Sequence, residues 1–260
     1  MVKGGVMLRS EHLRVTLNGR AVVRDISADF APGELTGIVG PNGAGKSTLV
    51  RAMLSLLPFE GRVLVDGREH LSRAELARRI AYLPQGQSLH WPLTVERLVG
   101  LGRLPHLGPM SRLSDADAAA IEAAMARADV AALRDRDATQ LSGGELARAL
   151  LARALAVEAP VLIADEPLAS LDPGHQIDVM DLLRAEAHSG GTVIAVLHDL
   201  GMAARYCERL LLIDDGRIVA DGTPADVLTP ANLHNVYGIE ADVALDGAWP
   251  VVTVRGRRKG

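Results

Sequence analysis

The sequence predicts an α/β fold. A mostly parallel sheet forms the core, an antiparallel β subdomain lies at the N-terminal end, and an α-helical subdomain is inserted. One observation is the apolar run Leu35–Val39, which is followed by a glycine-rich turn and a helical stretch from Lys46 to Leu57. A strand, a glycine loop and a helix make half of an α/β unit. Strand-sized apolar runs then recur, separated by helical segments, at Val161–Ala164, Thr192–Val196 and Leu210–Ile213.

The N-terminal segment alternates apolar and polar residues, as is typical of half-buried strands. The alternation covers Leu8–Leu17 and Ala21–Ile26, and the dipeptide Asn18-Gly19 between them favours a hairpin turn. Two further strands are predicted downstream, at Gly61–Asp66 and Ile80–Leu83.

The middle of the chain changes character from about Gln87. Before that point, Ser72 and Glu75 have the spacing of a capping box that opens a short helix. Beyond it, Asp115–Ala128 and Glu145–Val157 are alanine-rich and helical in pattern. We therefore interpret residues 1–260 as a single domain with a core of 1–87 and 159–222, a helical subdomain of 88–158, and a C-terminal extension of 223–260 that holds a short helix and a last strand near Val251–Val254.

Composition and charge exclude several classes of protein. The 260 residues are 48% hydrophobic and 23% charged, with a net charge of −4, which indicates a globular chain and argues against nucleic-acid binding. The lone cysteine, Cys207, lies in the helical stretch Gly201–Glu208 and fits a core thiol in a reducing compartment. No apolar run approaches the roughly 18 residues needed to cross a bilayer, and the first residues lack a signal peptide's apolar segment. We interpret the basic end Arg255–Lys259 as a solvated terminus.

A phosphate-binding pattern follows the strand Leu35–Val39. The segment Gly40–Ser47 fits G-x-x-x-x-G-K-[ST] in full. Glycines allow backbone N–H groups to curl around a phosphate, and the next helix points its positive N-terminal end at the anion. Lys46 supplies a positive charge for the β- and γ-phosphates, and the Ser47 hydroxyl is a ligand for Mg²⁺. The predicted contacts to the nucleotide in this segment are Gly40, Pro41, Asn42, Gly43, Ala44, Gly45, Lys46, Ser47 and Thr48.

Two carboxylates, Asp165 and Glu166, follow the buried run Val161–Ala164. Ligands in open α/β sheets bind at such strand ends. Asp165 is suited to hold Mg²⁺, and Glu166 to act as the general base that polarises the attacking water. The alternative interpretation is that Asp165 and Glu166 only belong to an ordinary turn. The phosphate-binding pattern in the same chain makes this alternative the weaker interpretation.

The segment Leu141–Glu145 reads LSGGE. In one interpretation, Ser142 and Glu145 only form the capping box of the helix that follows. In the other, Ser142, Gly143 and Gly144 form a second phosphate site at a helix N-terminus. One chain does not need two such sites for one nucleotide unless two chains share it.

Together these motifs resemble the ATP-binding-cassette (ABC) family. Further matches follow in the family's order: Gln85 resembles its Q-loop glutamine, Asp172 in Ser170-Leu171-Asp172 its D-loop, and His198 its switch histidine. The resemblance implies an ABC ATPase with a P-loop NTPase core that uses ATP and Mg²⁺ as a homodimer. It also implies that Gln85 is a Mg²⁺ ligand with Ser47 and Asp165, that His198 contacts the γ-phosphate, and that the catalytic set is Glu166, His198, Lys46 and Gln85.

Two departures from the family pattern concern substrate contacts. The family usually stacks an aromatic residue on adenine, and Leu17 occupies that place here. Loss of stacking weakens base binding by about 1 kcal/mol, so base selectivity is expected to be loose. Leu146 and Ala147 stand where glutamine or arginine is common after the signature.

The segments Trp91–Glu96 and Leu101–His106 resemble importers of iron(III)-siderophores, haem and cobalamin, with ferric siderophore favoured and haem next. This implies two copies of a separate transmembrane permease, an indirectly acting periplasmic or surface substrate-binding protein, and a peripheral location at the cytoplasmic face of the bacterial inner membrane. The alternatives are a soluble ABC ATPase acting on nucleic acid or ribosomes, a nucleotide-gated switch without turnover, and an exporter motor.

Overall fold

The computed structural model describes residues 7–86, 89, 91–108, 110–245 and 250–257. Within these residues the strands are β1 (Leu8–Leu17), β2 (Arg20–Phe30), β3 (Leu35–Val39), β4 (Glu60–Val65), β5 (Ile80–Leu83), β6 (Val161–Asp165), β7 (Thr192–Val196), β8 (Arg209–Asp214), β9 (Arg217–Gly222), β10 (Ile239–Ala244) and β11 (Val251–Arg257). The helices are α1 (Lys46–Met53), α2 (Arg73–Arg79), α3 (Val95–Gly100), α4 (Asp115–Arg127), α5 (Gly143–Leu155), α6 (Pro173–His188), α7 (Leu200–Tyr206), α8 (Pro224–Val227) and α9 (Pro230–Asn232).

The central sheet has six strands in the order β5-β6-β7-β3-β8-β9. Every pairing is parallel except that of β9 with β8, which is antiparallel. Strands β1, β2 and β4 form a separate antiparallel sheet in the order β2-β1-β4. The predicted α/β class, with its parallel-rich core and antiparallel β subdomain, is therefore confirmed.

The central sheet is apolar on both faces, as expected of a parallel sheet covered on two sides. On β3, Leu35 and Val39 face one apolar cluster, which also contains the inner residues of α3, α4 and α5. Ile38, one position out of phase, faces the second cluster, which α1 and the antiparallel sheet complete. The β subdomain and α1 thus lie on one side of the sheet, and α3, α4 and α5 lie on the other.

Helix α1 is shorter than the predicted stretch from Lys46 to Leu57. It ends at Met53, and Ser55 has a φ of 54°. This left-handed conformation breaks the helical path before Pro58 is reached. The strand predictions also needed adjustment, because β2 continues to Phe30 beyond the predicted Ile26.

The helical insertion lies between β5 and β6. It contains α3, a 3-10 segment over Leu101–His106, α4 and α5. The capping boxes predicted at Ser72 and at Ser142 are both present. The subdomain limits stay predictions, and the first of them falls on residues 87 and 88, which lie outside the described residues.

Strands β10 and β11 form a two-stranded antiparallel sheet near the C-terminus. The predicted strand at Val251–Val254 is confirmed and extends to Arg257, whereas β10 was not predicted. Arg255 is ion-paired with Asp242 of β10; Arg258 and Lys259 lie outside the described residues. Cys207 follows α7 directly and is buried, as predicted for a core thiol, and burial raises its pKa. Among the described helices, none combines the length and apolar character needed to cross a membrane.

Candidate nucleotide-binding site

The segment Gly40–Ser47, called the phosphate loop below, joins β3 to α1. Its first and last glycines are required by their surroundings. A β-carbon at Gly40 would lie 2.0 Å from the backbone oxygen of Ile213 on β8. Gly45, the N-cap of α1, has a φ of 99°, and a β-carbon there would lie 2.7 Å from the backbone oxygen of Val22. The loop is therefore pressed between β8 and β2, and larger residues at these positions would displace it.

Lys46 is the first residue of α1 and is only 5% exposed. Its Nζ donates hydrogen bonds to the backbone oxygens of Gly40, at 2.8 Å, and Pro41, at 3.0 Å. Burial lowers the Lys46 pKa, and the nearby carboxylates of Glu166 and Asp165 oppose that shift. The ammonium group is thus a desolvated cation within the loop, where an anionic phosphate would interact with it strongly.

Ser47 and Asp165 lie side by side at the ends of different elements. The Ser47 hydroxyl donates to Asp165 Oδ1 at 2.9 Å, and the Tyr82 hydroxyl donates to Asp165 Oδ2 at 3.3 Å. Asp165 is fully buried at the end of β6. Hydroxyl and carboxylate oxygens are the ligands that Mg²⁺ prefers, so this pair fits the predicted magnesium site.

Both carboxylate oxygens of Glu166 contact side chains of residues that are distant in the sequence. His198 Nε2 lies 2.6 Å from Oε1, and Gln85 Nε2 donates to Oε2 at 2.5 Å. Glu166 has a φ of 54°, a left-handed conformation that is rare for a residue with a β-carbon. Such strain often marks a functional site.

These residues surround a cleft of about 710 Å³, lined by Val22, Asn42, Gly43, Gly45, Lys46, Ser47, Thr48, Gln85, Glu166 and His198. Of the other loop residues predicted to bind nucleotide, Gly40, Pro41 and Ala44 belong to the same turn but are not among the lining residues. Asp165 is also not among the lining residues, but it accepts a hydrogen bond from Ser47, which does line the cleft. Val22 was missed, because a valine in an alternating strand carries no signal of ligand contact.

Leu17, the predicted adenine contact, ends β1 and is half-buried. Its side chain packs against the apolar cluster under the β subdomain. The residue of the first hairpin that lines the cleft is Val22. The role of Leu17 in base binding stays a prediction.

The segment Leu141–Glu145, called the signature loop below, lies apart from the cleft. Ser142 Oγ accepts a hydrogen bond from the Glu145 amide at 3.3 Å, and Glu145 Oε2 accepts from the Ser142 amide at 2.8 Å. Asp172 caps α6 by accepting from the His175 amide at 3.1 Å. Ser142, Gly143, Gly144 and Asp172 are all absent from the described residues that line the cleft.

This arrangement has the parts of a P-loop nucleotide-binding domain: a glycine loop between a buried strand and a helix, a buried lysine, a hydroxyl–carboxylate pair and a held glutamate. Comparison with known proteins identifies the family within this class. The ABC transporter family model matches residues 23–169, and the chain belongs to this family.

Two relatives and one solved structure are similar over nearly the whole chain. A cobalamin import ATP-binding protein of Halobacterium salinarum is 47% identical over 93% of this chain, which spans 61% of that relative's length. A hemin import ATP-binding protein of Rhodococcus jostii is 42% identical over 98% of this chain and 89% of its own length. A metal-chelate type ABC transporter, solved in an inward-facing conformation, superposes with a TM-score of 0.83 at 24% identity, covering 98% of this chain and 99% of that one; at this identity it supports the fold.

Proposed function

We propose that this chain is the ATP-hydrolysing subunit of an ABC importer and couples ATP binding and hydrolysis to uptake of a metal chelate. The observation that carries the proposal is Glu166, held between Gln85 and His198 beside the phosphate loop. A glutamate fixed at this point is placed to accept a proton from water that attacks a phosphate bound in the loop. A switch without turnover would not need this held base.

In the proposed reaction, the loop amides and the α1 N-terminus bind the phosphates, and Lys46 neutralises charge on the β- and γ-phosphates. Ser47, Asp165 and Gln85 would hold Mg²⁺, which supplies charge neutralisation to the phosphate oxygens. Glu166 orients the water and takes its proton. His198, which lines the cleft, would keep the Glu166 carboxylate in place and contact the γ-phosphate.

A homodimer would complete the site. The signature loop presents the N-terminus of α5 outside the cleft of its own chain, and Ser142 and Gly143 are exposed. A helix N-terminus attracts an anion. We propose that Ser142, Gly143 and Gly144 of one chain bind the γ-phosphate held by the phosphate loop of the other, with Asp172 at the same interface. ATP would thereby hold the two chains together.

The names of the relatives bear on cargo and partners. The relatives described above are named for import of cobalamin and of hemin. We therefore propose haem or cobalamin as the leading cargoes, and ferric siderophore, which the family resemblance favoured, stays a prediction. The assembly would contain two copies of a separate transmembrane permease, receive cargo from a periplasmic or surface substrate-binding protein, and place this chain peripherally at the cytoplasmic face of the inner membrane.

Mixing two inactive variants tests the shared site. Lys46→Ala removes the phosphate-loop cation and Ser142→Arg blocks the signature loop, so each homodimer should hydrolyse no ATP. A mixed dimer contains one site with both lesions and one intact site, and mixing should restore part of the wild-type phosphate release.

The matched control mixes Lys46→Ala with Ser47→Ala, whose lesions are both in the phosphate loop, so every site in the mixed dimer stays damaged. Recovery in the control, or none in the test mixture, would contradict a site shared between chains. An ABC ATPase acting on nucleic acid would instead respond to DNA or RNA. An exporter would be accelerated by cargo presented from the cytoplasmic side.

A further inference from the structure

The signature loop packs against the start of α6 through Gly144 and His175. Gly144 is buried, and a β-carbon added there would lie 2.0 Å from Cδ2 and 2.4 Å from Nε2 of the His175 ring. Real β-carbons essentially never approach another heavy atom so closely. The imidazole therefore occupies the space in which any other residue at position 144 would carry its side chain.

The His175 ring is held by polar groups of its own helix. Its Nδ1 lies 3.3 Å from Asp178 Oδ2, and its Nε2 lies 3.7 Å from Asp172 Oδ2. Its backbone amide donates to Asp172 Oδ1, the N-cap of α6. The ring thus has a hydrogen bond to Asp178, one turn further along α6, and a longer approach to Asp172, one turn before it.

A second contact joins the same two helices. Arg148 of α5, one turn after Gly144, places Nη1 3.6 Å from Asp178 Oδ2. The loop also passes near Ser170, since a β-carbon added at Gly143 would lie 4.0 Å from the Ser170 backbone oxygen. The first turns of α5 consequently lie against the N-terminal half of α6, through Gly144 with His175 and Arg148 with Asp178.

We propose that His175 is a positioning residue for the signature loop. Its imidazole sets the distance and tilt of the first turn of α5 against α6, and so directs the α5 N-terminus toward the nucleotide of the partner chain. Gly144 is glycine because His175 of the same chain fills the adjoining space. The inference rests on the shared site proposed above.

The test uses the full chain with Glu166→Gln, which should bind ATP and stay dimeric. Light scattering gives the ATP concentration that produces half-maximal dimer. Gly144→Ala should raise this ATP concentration by about tenfold or more, since the new β-carbon displaces the His175 ring. His175→Ala should raise it by about fivefold. Binding of a fluorescent ATP analogue to the single chain should not change in His175→Ala, since the phosphate loop is untouched.

The double variant Gly144→Ala/His175→Ala should be no worse than His175→Ala alone, because the added methyl group then has room. If the two single defects multiply instead, His175 is not the reason for glycine at position 144, and the inference is wrong. It is equally wrong if Gly144→Ala dimerises like its parent. His175→Asn, which keeps a donor near the Nδ1 position, should recover part of the loss.

His188→Ala is the matched control, since His188 is on the same helix, half exposed, and bonded to Glu208. It should dimerise like the parent, and His175→Ala behaving like it would overturn the positioning role. Failure of the Glu166→Gln parent to dimerise with ATP would instead count against the shared site itself. Thermal unfolding of each variant separates misfolding from a change confined to the interface.

Discussion

His198 Nε2 lies 2.6 Å from Glu166 Oε1, although the two residues follow different strands. Glu166 follows β6 and His198 follows β7, and Gln85, on the other carboxylate oxygen, follows β5. These three strands are neighbours in the sheet and run parallel. Their carboxyl ends therefore meet at one edge, where ligands bind in open α/β sheets. The order of the strands in the sheet therefore brings together the proposed base and the two residues that contact its carboxylate.

Glu166→Gln should lower kcat for ATP hydrolysis by about 10²–10⁴, the usual contribution of a general base. Glutamine has nearly the shape of glutamate, so the substitution should not disturb the contacts between the phosphate loop and the ATP phosphates. ATP should therefore still bind. Steady-state phosphate release and nucleotide titration measure the two effects separately. Turnover at the wild-type rate would exclude Glu166 as the base.

His198→Ala should also lower kcat, by about 10²-fold, because the Glu166 carboxylate loses one of its two holders. If the residues act as a unit, the double variant with Glu166→Gln should be no slower than Glu166→Gln alone. Phosphate release from the two single variants and the double variant gives this comparison. Defects that multiply would mean that His198 acts independently of Glu166.

Lys46→Met should separate stability from nucleotide binding. Burial lowers the Lys46 pKa, so the folded protein disfavours its charged form. Removing that charge should raise the Tm measured without nucleotide, because the folded state no longer has to keep a charge in a desolvated position. The Tm rise caused by MgATP should disappear, because the phosphates lose their cation.

Arg73→Met is the control for this measurement, since Arg73 is an exposed basic residue at the start of α2. It should leave both the Tm and its MgATP-induced rise unchanged. A Lys46→Met protein that melts lower than wild type would show that the two hydrogen bonds to the loop carbonyls outweigh the cost of burying the charge.

Local signals predicted much of the fold. The limits of β5 and β7 match their apolar runs, because a buried parallel strand is apolar on both faces. Strand β9 was missed because it lies at the sheet edge and alternates exposed with half-buried residues. The Asp215-Gly216 turn between β8 and β9 is a hairpin signal that could have revealed it.

All the residues that line the cleft except Val22 were named from the sequence, but their contacts were not. The resemblance to the ABC family indicated Gln85 and His198, and the carboxylate pair at a strand end indicated Glu166. Their direct contacts depend on the order of β5, β6 and β7 in the sheet, which local sequence does not encode. The packing of His175 on Gly144 likewise brings together two helices that no motif relates.

Glu75→Ala should reduce stability at neutral pH and not at low pH. Hydrogen bonds from the Ser72 amide and hydroxyl, and then from Arg68, lower the Glu75 pKa from 4.5 to about 2. The folded-state pKa lies below the unfolded one, so the stabilisation is complete above about pH 4.5 and is lost as pH falls toward 2. The Tm gap between wild type and variant should therefore narrow below pH 4.5.

Arg68→Ala provides the comparison, because Arg68 contributes less to the lowered Glu75 pKa than Ser72 does. Its Tm gap at neutral pH should be smaller than that of Glu75→Ala. A Glu75→Ala gap that stays constant from pH 7 to pH 3.5 would show that the cap depends on packing and not on the carboxylate charge.

Leu17→Tyr should strengthen ATP binding. Leu17 ends β1, and Val22 of the adjoining strand β2 lines the cleft. We expect the longer tyrosine side chain to extend beyond the apolar cluster and to stack on adenine. Stacking contributes about 1 kcal/mol, which corresponds to roughly fivefold in affinity. Titration with ATP and with GTP should show tighter binding and a larger ratio between the two, because the ring overlaps the two bases differently. Val15→Tyr is no substitute, since Val15 is 1% exposed and the ring would have to enter the core. Unchanged affinity for both nucleotides in Leu17→Tyr would mean that the base lies away from the end of β1 and that Val22 alone borders it.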